Sequence, residues 1–386
     1  AQRNAQDAVA EKLFSDARAI LDRAGNATTT TTADNGDDVR AFQELLVANK
    51  LATKPKNEAL LDALVKRFST DLISLGNAPV VGVAFAEVGH RLAVADSDGL
   101  RIWDVDTNSP DWLRNLRNSG CAAPRAHVTL DHFGCRLWPV TNSHFTKVAI
   151  SADGQVVAAG REDGTVQVWN LNDQQHAAKS LPLPHHGRVT AVALSRDGRR
   201  LASAGVDGFI DISRPDGTDM RPIGNSAGPI FTVAFDRAAD RLAAGGADGA
   251  IRVWNLGRVP SAGGDVPPDT IRKDAHEDGV KSVVFSPSND LLASGGADKA
   301  VRLWDSAGLT PIEQWPTTTV DGHTATVTTV AFSADGTRLV SGSDDMTVRL
   351  WDVQAHQRIG DPLIGHQGQV LSVTIVGNEI VSGGNE

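Results

Sequence analysis

The sequence predicts an all-β fold assembled from a repeated four-stranded unit, with a helical segment ahead of it. Three observations predict this. One segment recurs six times with its punctuation intact. Glycine (37) and tryptophan (8) are abundant among 386 residues while tyrosine is absent, which implies many tight turns and one recurring indole position. The repeats alternate side chains with period two, whereas the first 70 or so residues place apolar side chains at helical spacing.

The recurring segments are VGVAFAEVGHRLAVADSDGLRIWD, KVAISADGQVVAAGREDGTVQVWN, TAVALSRDGRRLASAGVDGFIDIS, FTVAFDRAADRLAAGGADGAIRVWN, KSVVFSPSNDLLASGGADKAVRLWD and TTVAFSADGTRLVSGSDDMTVRLWD. Their reference valines are Val83, Val148, Val192, Val233, Val283 and Val330, and a seventh unit begins around Val373. The terminal tryptophans are Trp103, Trp169, Trp254, Trp304 and Trp351, with Ser213 in the third unit's slot. The Val-to-Trp offset is 20 in the first unit and 21 in the other five. Each unit reads as three strands separated by turn chemistry such as Ala-Asp-Gly and Asp-Gly, and a fourth strand fits the variable stretch before the next unit. Four strands in units of about 40–45 residues is the arithmetic of propeller blades. The prediction is a seven-bladed β-propeller over residues 71–386, its seventh blade incomplete, preceded by a helical stalk over 1–70. The offset places a seventh Trp near 394, so the chain is expected to be a fragment, with first strands of that blade in 370–384 and an outer strand from 72–76.

These residues resemble WD40 repeats over roughly 72–386. Gly-His stands at Gly322-His323 and Gly365-His366, approximated by Ala275-His276 and His185-His186. Trp-Asp stands at Trp103-Asp104, Trp304-Asp305 and Trp351-Asp352, with Trp169-Asn170 and Trp254-Asn255 as variants. The resemblance implies a buried hydrogen-bond chain in each well-kept blade. Its members are His276, Ser294, Asp298 and Trp304 in the fifth unit, and His323, Ser341, Asp345 and Trp351 in the sixth. A buried indole N–H and a buried imidazole need partners, and such a network ties strands and loop together. A Ser-His-Asp hydrolase triad is set aside because the set recurs in equivalent blades with a structural partner for each member. The other units are degraded: Ser213 replaces the third Trp, Ala243 the fourth Ser, with Asn225 near that unit's His slot. Polar networks are therefore expected only in the later blades.

Residues 1–70 place Val9, Leu13, Ala17, Ile20 and Leu21, then Val39, Phe42, Leu45 and Leu46, then Leu60, Leu61, Leu64, Val65 and Phe68 at helical spacing. A helical stalk running into WD40 repeats resembles the C-terminal part of bacterial STAND-type signalling NTPases and related membrane-tethered WD40 proteins. The first two tryptophan slots are 66 residues apart, against 41 to 50 later, so an insertion is expected at about 107–134. Cys135–Val140 then supplies the first blade's outer strand, and Cys121 and Cys135 are either free thiols or a disulfide.

A formal charge of −10 and no basic stripe argue against a nucleic-acid footprint, and no apolar run spans a bilayer. There is no G-x-x-x-x-G-K-[ST] or H-E-x-x-H, and no G-x-S-x-G in the context that motif requires. Asp96-Ser97-Asp98-Gly99 mimics a calcium loop but has Thr107 where the bidentate Glu belongs, and reads as a strand turn. His185-His186 lacks further metal ligands and reads as a propeller loop. No cofactor, metal or catalytic residue is expected.

The expectation is a non-catalytic platform that binds a protein or peptide, as the scaffold or sensor part of a larger signalling protein. A propeller enzyme with a central-channel site and a purely structural oligomerisation module are the alternatives. No compartment follows beyond a cytoplasmic one, or a membrane tether through an upstream segment. In WD40 proteins the favoured docking face is built by loops leading into the innermost strands. Carried over, it comprises positions two and four before each reference valine: His144 and Thr146, Arg188 and Thr190, Phe231, Lys281, Thr326 and Thr328, and Gln369 and Leu371. Glu162 and Asp344, just before the turn aspartates, complete it. Phe231, flanked on neighbouring blades by Arg188 and Lys281, is the expected anchor.

Overall fold

The computed structural model describes residues 79–96, 99–105, 135–139 (backbone), 144–173, 178–181, 185–226, 228–260, 264, 266–288, 290–312, 322–377 and 379–385. The expected stalk over 1–70, the insertion at about 107–134, the Cys121 and Cys135 side chains and the expected outer strand at 72–76 lie outside the described residues. One compact unit comprises Leu72–Gln357 and Ile364–Glu386, and Arg358–Leu363 falls outside it.

The period-two runs form antiparallel strands, and tight turns such as Asp207-Gly208 and Asp248-Gly249 return them to their neighbours. Six sheets have four strands each, and a further sheet has two, Val370–Val376 and Glu379–Gly384. The structure thus shows six complete blades, not seven, with a two-stranded sheet at the seventh place. Within a blade the strands follow chain order. The inner strands are Val80–Ala86, Phe145–Ile150, Val189–Leu194, Ile230–Phe235, Val280–Phe285, Val327–Phe332 and Val370–Val376. Cys135–Pro139 pairs with Gly99–Asp104 as the outer strand of blade 1, as the Cys-Arg-Leu-Trp-Pro-Val run leads one to expect. Among the described residues the one helical element is a 3-10 turn, Leu256–Arg258, and no helix is long and apolar enough to cross a membrane.

The core lies at the seams between sheets. Trp169 of blade 2 packs with Leu100 and Ile102 of blade 1; Trp254 with Ile210; Trp304 with Ile251 and Val253; and Trp351 with Val301 and Leu303. Trp103 packs with Val376, which joins blade 1 to the seventh sheet. All five indoles are buried to about 1% exposure, so five of the seven seams gain one large apolar anchor from the repeat's Trp position.

Glycines in the second strands make these seams close. A β-carbon at Gly245, Gly295, Gly342 or Gly383 would collide with Val280, Val327, Val370 or Val80, the first inner-strand residue of the next sheet. The Gly383–Val80 contact closes the ring from its last sheet to its first. This is why the middle strands of blades 4, 5 and 6 and of the seventh sheet carry glycine at this place.

Candidate functional site

Every inner strand carries a β-bulge at one equivalent place. Pairing jumps from Val80 to Gly82, Phe145 to Lys147, Ile230 to Thr232, Val280 to Ser282, Val327 to Thr329 and Val370 to Ser372. In blade 3 the same shift skips Thr190. The skipped residues are Val81, Thr146, Thr190, Phe231, Lys281, Thr328 and Leu371, the position two before each reference valine. A bulge frees its residue from the ladder and re-aims the side chain.

What that side chain then does depends on its chemistry. Thr146 donates its hydroxyl to the Val189 carbonyl at 2.5 Å, across the seam to blade 3. Thr190 donates likewise to Ile230 of blade 4, and Thr328 to Val370 of the seventh sheet. In the remaining blades the latch moves one residue on. The Val283 N–H donates to Thr232 Oγ1 at 3.0 Å, the Val330 N–H to Ser282 Oγ at 3.1 Å, and the Val83 N–H to Ser372 Oγ at 3.0 Å. Those six seams therefore each carry a hydroxyl latch, placed at one of two adjacent positions. Blade 1 has Val81 and Gly82 there and no hydroxyl; its turn instead donates Val88 N–H to the Ala152 carbonyl of blade 2 at 2.8 Å.

Where the latch sits one residue later, the bulge residue has no seam duty. Those residues are Phe231, Lys281 and Leu371. Phe231 and Lys281 stand on neighbouring blades, with the Lys281 ammonium 3.9 Å from the Phe231 ring centroid. Together with Lys147, Thr232, Ser282 and Thr328 they line a cavity of about 100 Å³. Side chains from five inner strands converge there, so the cavity is the mouth of the central channel. The Lys147 ammonium reaches past sheet 1 to the Leu371 carbonyl at 3.4 Å. Burial, and then the Arg188 charge, pull Lys147 below the ordinary lysine range. Burial also lowers Lys281, opposed by Asp344. Burial raises the Asp344 carboxyl although Thr326 and Lys281 work the other way.

The remaining expected residues form the rim. The carbonyls of His144, Arg188, Thr326 and Gln369 accept the N–H groups of Glu162, Val206, Asp344 and Asn385 at 2.9–3.1 Å. Positions four before the valine and just before the turn Asp are thus hydrogen-bonded partners. His144, Glu162, Arg188 and Gln369 are exposed; Thr190, Thr326, Thr328, Asp344 and Leu371 are half-buried, and Thr146 is buried. Lys147 sits one residue after the bulge, a position that the expected docking face does not include. The signal was present: the other repeats hold only Gly, Ala, Ser or Thr at that position.

The polar networks lie inside the blades, away from this mouth. In blade 5 the Trp304 indole N–H donates to Ser294 Oγ at 2.8 Å. Ser294 Oγ is 2.7 Å from His276 Nε2, and His276 Nδ1 is 2.7 Å from Asp298. In blade 6 Trp351, Ser341, His323 and Asp345 repeat the chain at 2.9, 2.7 and 2.9 Å. One proton arrangement satisfies both chains: the Ser hydroxyl donates to Nε2 and the Nδ1–H donates to the carboxylate. Burial holds the His276 imidazolium form down, against the pull of Asp298, which agrees with a neutral ring. Both serines are fully buried, so neither hydroxyl is open to a substrate.

Blade 3 corrects the expectation that networks stop at the later blades. His185 Nε2 lies 2.9 Å from Ser203 Oγ, and His185 Nδ1 lies 3.3 Å from Asp207, although no Trp is present. The chain needs His, Ser and Asp; the indole is an added donor, not a condition. Asp211 lies behind the ring, 3.7 Å from Nε2, and its buried carboxylate oxygens have no hydrogen-bond partner among the described residues. A fourth His–Ser contact, His366 to Ser382 at 2.7 Å, occurs in the seventh sheet. The calcium-like run is a turn: the Gly99 N–H donates to Asp96 at 2.8 Å, and Asp96 pairs with buried Arg101.

The family model "WD domain, G-beta repeat" matches residues 137–170, 179–212, 220–255, 269–305 and 314–352. The fold is a WD40-repeat β-propeller. Curated relatives share parts of it. Pre-mRNA-processing factor 19 of Oryza sativa subsp. japonica is 32% identical over 143 residues, covering 36% of this chain and 23% of that protein. WD repeat-containing protein 90 of Xenopus tropicalis is 28% identical over 172 residues, covering 44% and 8% respectively. F-box-like/WD repeat-containing protein TBL1X of Mus musculus is 28% identical over 113 residues, covering 25% and 21%. The similarity spans less than a quarter of each of these three proteins.

Proposed function

We propose that this WD40 propeller is a non-catalytic platform for a protein or peptide partner, which docks on the channel mouth with Phe231 and Lys281 as its anchor. WD-repeat proteins typically serve as interaction scaffolds. The observation that carries the site is the displaced latch. In blades 4 and 5 the seam hydroxyl moves to Thr232 and Ser282, leaving an aromatic ring and a lysine side by side at a half-buried cavity. An aromatic anchor within a charged rim has the chemistry of an interface hot spot. The hydroxyls of Thr146, Thr190 and Thr328 hold seams and are committed there, and of the three Thr328 lines the cavity. A role in a larger signalling protein rests on the resemblance of residues 1–70, and the matched relatives named above come from a plant and from animals.

Panning a peptide display library against the full chain tests this. Phe231→Ala with Lys281→Glu is expected to abolish binding of the selected peptides while leaving the melting temperature nearly unchanged. Undiminished binding by that double variant, with loss on deleting residues 108–134 or 1–70, would move the site off the mouth.

A further inference from the structure

Within the described inner strands, seven in all, only two side chains carry a charge. Both are lysines, Lys147 and Lys281, and both line the same cavity. No aspartate or glutamate occurs in any of these strands, in a chain whose formal charge is −10. The two ammoniums are not equivalent. Lys281 has Asp344 as a nearby countercharge and the Phe231 ring beneath it. Lys147 has one backbone carbonyl at 3.4 Å and a second cation, Arg188, as its charged neighbour. No carboxylate pairs with Lys147 among the described residues. A cation taken out of water without a counterion is costly, and an anion arriving beside it recovers that cost in a site of low dielectric.

We infer that the mouth is a receptor for a carboxylate, and that its occupant is a glutamate or aspartate side chain of an acidic peptide partner held between Lys147 and Lys281. This rests on the docking reading above and adds the partner's chemistry. A volume of about 100 Å³ admits one side-chain head group and excludes a cofactor-sized molecule. Arg188, exposed at the rim, supplies a further positive charge for flanking acidic residues. Acidic rim groups Glu162 and Asp344 restrict the cationic area to the cavity itself, which favours a single inserted carboxylate over a long polyanion.

Fluorescence anisotropy with a fluorescein-labelled hexaglutamate peptide tests this, with hexaglutamine and hexalysine peptides as controls. The proteins are wild type, Lys147→Gln, Lys147→Arg, Lys281→Gln and, at an exposed site elsewhere, Lys273→Gln. Hexaglutamate alone is expected to bind, and Lys147→Gln and Lys281→Gln to weaken it at least about fivefold, as loss of one partly buried ion pair implies. Lys147→Arg should retain most binding, and Lys273→Gln all of it. Equal weakening by Lys273→Gln would reduce the effect to net charge and overturn the inference. So would hexaglutamine or hexalysine bound as well as hexaglutamate, or saturable binding of inorganic phosphate at the mouth with no binding of hexaglutamate. Lys281→Gln and Lys147→Arg keep the test decisive if Lys147→Gln fails to fold. Neutral or basic peptides selected by panning and lost on Phe231→Ala would leave the docking surface standing while removing its acidic specificity.

Discussion

Ser372 joins the last sheet to the first: its hydroxyl oxygen accepts the Val83 N–H at 3.0 Å across 289 residues of sequence. The contact is buried, and beside it Gly383 leaves room for Val80. One hydroxyl and one missing β-carbon thus join the Trp103–Val376 packing in closing the ring. Ser372→Ala is expected to lower stability by about 1–2 kcal/mol by leaving a buried N–H unsatisfied, whereas Ser372→Thr keeps the acceptor. Urea midpoints of the two variants check this, and equal midpoints would remove the latch from the account.

The tryptophans differ in what they donate to. Trp304 reaches Ser294, Trp254 reaches the Val266 carbonyl at 2.8 Å, and the Trp169 N–H finds no acceptor among the described residues, because Ala159 stands in the serine slot. Trp304→Phe should therefore cost about 1–3 kcal/mol more than Trp169→Phe. Ala159→Ser, by providing the acceptor, should stabilise by about 0.5–1.5 kcal/mol. Chemical denaturation of the three variants decides it; equal losses at both tryptophans would contradict the network.

Two sets of carboxylates give opposite pH dependences. Burial alone would raise Asp298 and Asp345, but their histidines, with Arg302 at Asp298 and Thr347 at Asp345, hold both well below the usual carboxylate range. Their contribution is present above the unfolded carboxylate value of about 4 and is lost as pH falls below it. Asp298→Asn should therefore destabilise at pH 7 and match wild type in strong acid.

Asp211 has the reverse sign. Burial raises its carboxyl, with His185 opposing and Asp207 adding to the rise. A raised group stabilises fully below its unfolded value of about 4 and loses that contribution as pH rises through its folded value. Asp211→Asn should then melt higher than wild type at pH 7 by about 2 °C or more, with the gap closing toward pH 3. A lower melting temperature at pH 7 would show that Asp211 serves His185 as a counterion.

Much of the fold was legible because one offset, Val to Trp, repeats with a single-residue exception, and the indole it places is the seam anchor. The blade interiors were legible where His, Ser and Asp keep their spacing. His185 was passed over because its unit lacks Trp, although the ring bonds Ser203 and Asp207 without one. The site was half legible. The docking face includes position two before the valine, but spacing within one strand does not reveal that Thr190 bonds the Ile230 carbonyl on the next blade while Phe231 meets the next blade through its ring and the Lys281 ammonium. That distinction arises from the bulge and the neighbouring sheet, which are tertiary. Lys147 required comparing the residue after the bulge across all repeats.

Docking of a partner on the channel mouth is read out by hydrogen exchange on the full chain with and without a panned peptide. Bulge residues are skipped by the strand ladder, so their amides are suited to report an occupant. Slowed exchange is expected in 144–148, 230–233 and 280–283 on peptide addition, with the outer strands unchanged. Protection confined to the outer strands, to 106–134, or to the turns around Val88 and Ala152 would contradict it.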